Sequence, residues 1–225
     1  MARILLIDTA TARLSIGLAD NGTVVASRTC DEPRRQASLT APLVQEVLLD
    51  QGLRVADCDA VCVSSGPGSY TGLRVGVSTA KGLAFGAGIP LIAIGTLDIL
   101  ASGYDPEAFR YIVPMIDARR MEVYTAVYSA DGRRLTPVEA KVVGPDSFAR
   151  ELAQGPVLFT GDGALKCREV ITHPQALFQE SRPDVAAMAV LAQKAWEEKR
   201  FEDIAYFEPF YLKDFVATVP RKKLF

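Results

Sequence analysis

The sequence predicts an α/β protein built from two copies of one plan, each a mixed sheet with three antiparallel strands followed by helix, strand and helix. Three observations lead to it. Two apolar strands end in an acid, Ile4 to Asp8 and Tyr111 to Asp117. Each is followed by an alternating strand and a turn dipeptide, Asn21-Gly22 in one half and Asp131-Gly132 in the other. Each half then runs through a helical stretch into a short apolar strand that meets glycines, Ser64 to Gly68 and Thr160 to Gly163. A duplication constrains the whole chain rather than one motif.

The elements follow in order. Arg3 to Asp8 reads as a strand, and Leu14 to Ala19 alternates like a half-buried one. Asn-Gly accepts positive φ, so Thr23 to Cys30 returns as a third, antiparallel strand. Leu39, Leu43, Val44, Val47 and Leu48 recur at spacings of three and four, which predicts a helix over 36–50 closed by Gly52. Asp59 to Ser64 is a strand, Thr71 to Gly86 a helix, Pro90 to Ile94 a strand, and Thr96 opens another helix. In the second half, strands are expected at 111–117, 122–128, 138–143 and 157–160, with helices at 147–152 and 184–200. The boundary falls between residues 102 and 103, giving units 1–102 and 103–225. A parallel dinucleotide-binding sheet is excluded at the start, because the Asn-Gly turn forces antiparallel neighbours. The plan is that of RNase H-like domains, as in the actin/Hsp70/sugar-kinase superfamily.

Composition narrows the function. Half of the 225 residues are apolar (49%) and 23% are charged, as in a well-packed globular protein. The net charge of −2 supplies no general attraction for nucleic acid. One basic cluster, Arg221-Lys222-Lys223, is either a solvated tail or a contact to RNA or a partner. Four cysteines without a Cys-x-x-Cys pair predict a reducing, cytoplasmic setting. The apolar run at the start is too short for a signal peptide or membrane span. The single histidine, His173, excludes any two-histidine metal site and reads as a loop residue. No catalytic, metal or cofactor site is expected.

Two segments could carry binding. In Ser65-Gly-Pro-Gly-Ser-Tyr-Thr-Gly-Leu-Arg74 a glycine loop leads into a helix, and Gly66 and Gly68 could present backbone N–H groups to an anion. It lacks the Lys-Ser/Thr of a P-loop. Along the following helix Gly72, Gly76, Ala80 and Ala84 form one smooth ridge, and Gly82 and Gly86 a shorter one. Interior glycines cost a helix about 0.5–1 kcal/mol each, so something must approach closely. That is either packing inside the domain or a partner's helix docking on the ridge and on the 36–50 helix. The docking reading assigns Leu39, Leu43, Val47, Gly72, Gly76, Ala80, Leu83 and Ala84 to the interface. It expects Gly76→Leu and Ala80→Glu to block association and spare the fold. The second segment is Asp117-Ala-Arg-Arg-Met-Glu122, where Arg119 and Arg120 either form a structural pair with an Asp or Glu or serve to bind phosphate or carboxylate. Asp8 and Asp117 hold the positions of phosphate-binding acids, but Thr9-Ala-Thr-Ala and Ala118-Arg-Arg do not suit a triphosphate.

The glycine segment continued by Ala80-Lys-Gly-Leu-Ala84, together with Ile7-Asp-Thr-Ala10, Asp117 to Tyr124, Gly161-Asp-Gly163 and Pro209 to Thr218, resembles the TsaB (YeaZ) family. The resemblance runs from residue 4 to about 218. It implies a non-catalytic subunit of the bacterial complex that makes N6-threonylcarbamoyladenosine in tRNA. The implied partners are a TsaD-like catalytic subunit and a TsaE-like ATPase, with tRNA reached only through the complex and a homodimer when alone. TsaD itself carries a histidine pair on its first helix; residues 33–43 here have none. The alternatives are a nucleotide-binding phosphotransferase or hydrolase of the actin-like superfamily, and a homologue of the M22 glycoproteases.

Overall fold

The computed structural model describes residues 2–32 and 34–213. The first sheet has the order β3-β2-β1-β4-β5, from Thr23–Cys30, Leu14–Asp20, Arg3–Asp8, Ala60–Ser64 and Leu91–Ile94. The second has β11-β10-β6-β7-β9, from Ala176–Gln179, Val157–Thr160, Tyr111–Asp117, Glu122–Thr125 and Glu139–Val142. The short β8, Tyr128–Ser129, pairs with β6. In each sheet the first three strands are antiparallel and the last two join in parallel. The duplicated plan is therefore present in both sheets, with β8 as an addition in the second.

The strand expected at 122–128 is interrupted after Thr125, so β7 and β8 pair on different stretches of β6. Alternation along the sequence marks both halves equally and carries no sign of the break. β11 was not foreseen, nor was the one-turn α5, Ala164–Cys167. The 147–152 helix shortens to α4, Ala149–Leu152, because Phe148 takes a left-handed conformation at its start.

Both faces of the first sheet are covered, which is why β1 and β4 are continuous apolar runs. Leu5, Ile7, Ile16, Val61 and Val63 meet α1 (Gln36–Leu49) and α2 (Tyr70–Ala87) through Val44, Val47, Val77, Ala80 and Ala84. Ile4, Leu6, Cys62 and Ile92 face the other way. They are covered by α6 (Val185–Glu197) through Val185, Met188, Ala189, Ala192 and Ala195. α3 (Thr96–Ala101) makes the reciprocal crossing and packs Leu97 and Leu100 with Ile112, Ile116 and Tyr128 beneath the second sheet. Each half thus lends its last helix to the other. Cutting the chain after residue 102 assigns α6 to the second unit, whereas its apolar face lies on the first sheet.

Beyond α6 the chain runs back along the first sheet as a strap over residues 201–213. Glu202 N–H donates to the Leu91 carbonyl at 2.9 Å. Lys81 Nζ on α2 donates to the carbonyls of Phe207 (2.8 Å) and Ala205 (3.3 Å). Phe210 N–H donates to the Ser65 carbonyl at 2.8 Å. Among the described residues no helix is long and apolar enough to cross a membrane. Residues 214–225, with the basic cluster at 221–223 and the last part of the 209–218 motif, lie outside the described residues.

Candidate docking face and closed glycine loop

The glycine loop and the turn after β1 are one packed unit. Ser69 caps α2 by accepting the Gly72 N–H on its hydroxyl at 3.2 Å, and its own N–H donates to the Ala10 carbonyl at 2.7 Å. The Thr9 hydroxyl donates to the Gly72 carbonyl at 2.7 Å. A Cβ on Gly68 would stand 2.2 Å from the Ala10 carbonyl oxygen, and one on Gly72 2.1 Å from that of Thr9. On Gly76 it would stand 2.2 Å from Thr9 Oγ1. The strap closes the other side, where a Cβ on Gly66 would come within 2.7 Å of the Phe210 carbonyl oxygen. These glycines admit the chain's own backbone.

The long ridge is therefore corrected. Gly72 and Gly76 are buried against the turn after β1, and Ala80, Ala84 and Val47 of α1 are buried in the core of the first sheet. None of the five can touch a partner, and Gly76→Leu or Ala80→Glu would break the core rather than spare it. Leu39, Leu43 and Leu83 are half-buried and flank the core.

The outer face of the helix pair has a different composition. On α2 it carries Ser78, Gly82, Phe85 and Gly86, one stripe at spacings of three and four. Phe85 is 79% exposed, and Leu49 at the end of α1 is 64% exposed. A Cβ on Gly82 or Gly86 would meet nothing within 4 Å. Inside this molecule nothing requires glycine there, yet each lowers helix stability by about 0.5–1 kcal/mol relative to alanine. A bare stripe flanked by exposed apolar side chains is the shape that a close-packed helix needs. The sequence showed the spacing of the two glycine ridges but not which of them faced out.

The residues considered for an anion or nucleotide do not converge. Asp8 is fully buried at the end of β1 on the face covered by α6. Its Oδ1 accepts the Ala10 N–H at 3.2 Å, while Oδ2 has no hydrogen-bond partner among the described residues. Burial pushes its carboxyl up to about 6; Asp184 adds to the rise, and the Ser64 hydroxyl, the Ala10 N–H and Arg13 act against it. Asp117 is exposed and ion-paired with Lys166. Gly66 and Gly68 are used in packing, and the N–H groups of Ser69 and Gly72 at the start of α2 are used internally. His173 accepts the Gln175 N–H in its loop at 3.2 Å.

Arg119 and Arg120 stand at the turn between β6 and β7 with φ of 72° and 50°. The left-handed region costs a side chain with a Cβ roughly 1–2 kcal/mol. The turn is pinned by the Arg119 N–H to Asp117 Oδ1 (2.8 Å) and by the Glu122 N–H to the Arg119 carbonyl (3.2 Å). Lys166 donates to the Glu122 carbonyl at 2.7 Å and Lys213 pairs with its carboxylate.

Comparison with known proteins agrees with this architecture. The model of the family "TsaD: tRNA N6-adenosine threonylcarbamoyltransferase" matches residues 33–221. The tRNA threonylcarbamoyladenosine biosynthesis protein TsaB of Escherichia coli strain K12 is 32% identical over 224 residues, covering 96% of both chains. Its counterpart in Haemophilus influenzae is 27% identical, covering 95% of this chain and 94% of that one. The solved structure of YeaZ from Pseudomonas aeruginosa superposes with a TM-score of 0.82 at 26% identity, over 94% of this chain and all of that one. Component A of the (R)-2-hydroxyglutaryl-CoA dehydratase of Acidaminococcus fermentans shares the fold alone. Its TM-score is 0.50 at 9% identity, over 89% of this chain and all of that one.

Proposed function

Because the chain belongs to the TsaD family and matches its TsaB members over nearly its whole length, we propose that it is the TsaB-type subunit of the tRNA threonylcarbamoyladenosine machinery. Its role is to bind a TsaD-like catalytic subunit, with a TsaE-like ATPase joining the assembly, and it performs no group transfer itself. Alone it pairs with a second copy through the same face.

The exposed Gly82–Gly86 stripe carries this reading. It is a place where stability is lower than it need be unless another chain uses the space. Phe85 supplies an apolar anchor within it, and Leu49 at the end of α1 is a second exposed apolar side chain on the helix pair. The closed glycine loop supports a non-catalytic role, because the Thr9 and Ala10 carbonyls fill the space in which a phosphate-wrapping loop would need open N–H groups.

The test uses Gly82→Gln/Gly86→Gln. Both side chains enter open space, so the variant is expected to melt about 2–4 °C higher than the wild type, from roughly 1 kcal/mol of helix propensity. It is also expected to lose the TsaD-like subunit on size-exclusion chromatography. A variant that is stabilised and still forms the complex places the interface elsewhere. ATP turnover by the isolated chain at an enzymatic rate, abolished by Asp8→Ala, would favour a phosphotransferase instead.

A further inference from the structure

The arginine turn belongs to neither the core nor the proposed docking face, and it does not stand alone. Arg74, on the first exposed turn of α2, lies 5.7 Å from the Tyr70 ring centre. The Tyr70 ring lies 4.6 Å from that of Tyr211 on the strap. Two residues further, Lys213 pairs with Glu122, whose N–H closes the turn that bears Arg119 and Arg120. The strap thereby links Arg74 in the first half to the arginine turn in the second through the Tyr70–Tyr211 and Lys213–Glu122 contacts.

The local charge differs from that of the whole chain. Asp117 is paired with Lys166 and Glu122 with Lys213. Arg74, Arg119 and Arg120 are exposed, and none of them is ion-paired with an acid among the described residues. Glu208 is the other acid near Tyr211. Two consecutive arginines hold a left-handed turn that Asn or Gly would occupy at little steric cost. Their side chains, rather than the backbone they form, account for their presence.

We propose that Arg74, Arg119, Arg120 and Lys213, with the Tyr70–Tyr211 pair beside them, form a contact surface for the phosphodiester backbone of RNA. Guanidinium forks match phosphate oxygens through paired hydrogen bonds, which is the chemistry that three exposed arginines offer here. The surface is small, so binding by the chain alone is weak and salt-dependent. In the assembly proposed above, it would add to whatever RNA contacts the catalytic subunit makes.

The experiment measures anisotropy of labelled, unmodified tRNA against the wild type and Arg119→Asn/Arg120→Asn, from about 50 to 200 mM salt. Each protein is titrated alone and with the TsaD-like subunit. Asn tolerates the turn, so the variant is expected to melt no lower than the wild type. Its affinity for tRNA is expected to fall roughly tenfold or more, and its log–log salt slope to flatten by about 1.4. Equal affinity and slope for the two proteins, or no binding by either, would overturn the proposal. So would a variant that binds tRNA normally but loses the TsaD-like subunit, since the surface would then be a protein interface. Although the proposal takes tRNA from the function above, the titration of the chain alone reads it separately. A chain that binds tRNA through these arginines but never joins a TsaD-like subunit would sink that function and leave this surface standing.

Discussion

Gly76→Ala is expected to destabilise the protein by about 3 kcal/mol or more, although alanine is the better helix former. The added methyl would sit 2.2 Å from Thr9 Oγ1 and 3.3 Å from the Thr9 Cβ, inside a packed wall between α2 and the end of β1. For a chain of this size that is a fall of about 6–12 °C in Tm. The origin of the effect can be isolated. Thr9→Ala removes the oxygen in the way, at the cost of its 2.7 Å hydrogen bond to the Gly72 carbonyl. The double variant Thr9→Ala/Gly76→Ala should therefore lose less than the sum of the two single changes. Gly72→Ala should be as damaging and should not be rescued, because its methyl would meet the Thr9 main-chain oxygen at 2.1 Å. Additive losses in the first pair, read by thermal melts, would show that α2 can shift away from the turn.

Asp8→Asn is expected to stabilise the protein by on the order of 2–3 kcal/mol at pH 7.5, by about 1 kcal/mol at pH 4.5 and by little at pH 3.5. The sign follows from burial. Asp8 lies wholly out of solvent with Oδ2 unpartnered among the described residues, and its carboxyl rises from 3.8 to about 6. The folded state thus holds this proton more tightly than the unfolded chain. The stability it contributes is fully present below pH 3.8 and is lost as the pH rises through about 6. Above that, a carboxylate remains in a low-dielectric site where the Ser64 hydroxyl, the Ala10 N–H and Arg13 offset only part of the cost of burial. Asparagine keeps the acceptor for the Ala10 N–H and removes the charge. Its amide faces a polar neighbourhood, with Ser15 opposite on β2 and Ser64 alongside on β4. Melts of the two proteins across pH 3.5 to 8 should converge at the acid end, draw apart between about pH 4 and 6, and keep a constant separation above that. An equal separation at every pH, acid end included, would mean that Asp8 ionises freely.

A buried acid that lowers stability at neutral pH is kept for some reason other than folding. In this chain Asp8 ends β1 as Asp117 ends β6, yet the two environments have diverged. One carboxyl is sealed beneath α6, with Asp184 and Arg13 among its charged neighbours. The other is exposed beside Lys166.

Much of the architecture was legible because its signals are local. The acid-terminated strands, the Asn-Gly and Asp-Gly turns and the period of α1 and α2 place most of the elements within a few residues. The duplication supplied the element sequence of the second half from that of the first, while the strand order of both sheets came from the structure. What the sequence by itself determined was this repeated plan and a family signature running along nearly all of the chain. Where the two sheets exchange helices was decided only in three dimensions. The apolar stripe of α6 states that one face must be covered, but Val185, Met188 and Ala192 would satisfy either sheet. The same holds for the glycines. Spacing of four puts Gly72 and Gly76 on one side of α2, and Gly82 and Gly86 on another, but spacing carries no record of which side meets Thr9 and which meets solvent. Burial is a property of the assembled packing, so the inward and outward ridges could be told apart only once β1 and α2 were in contact.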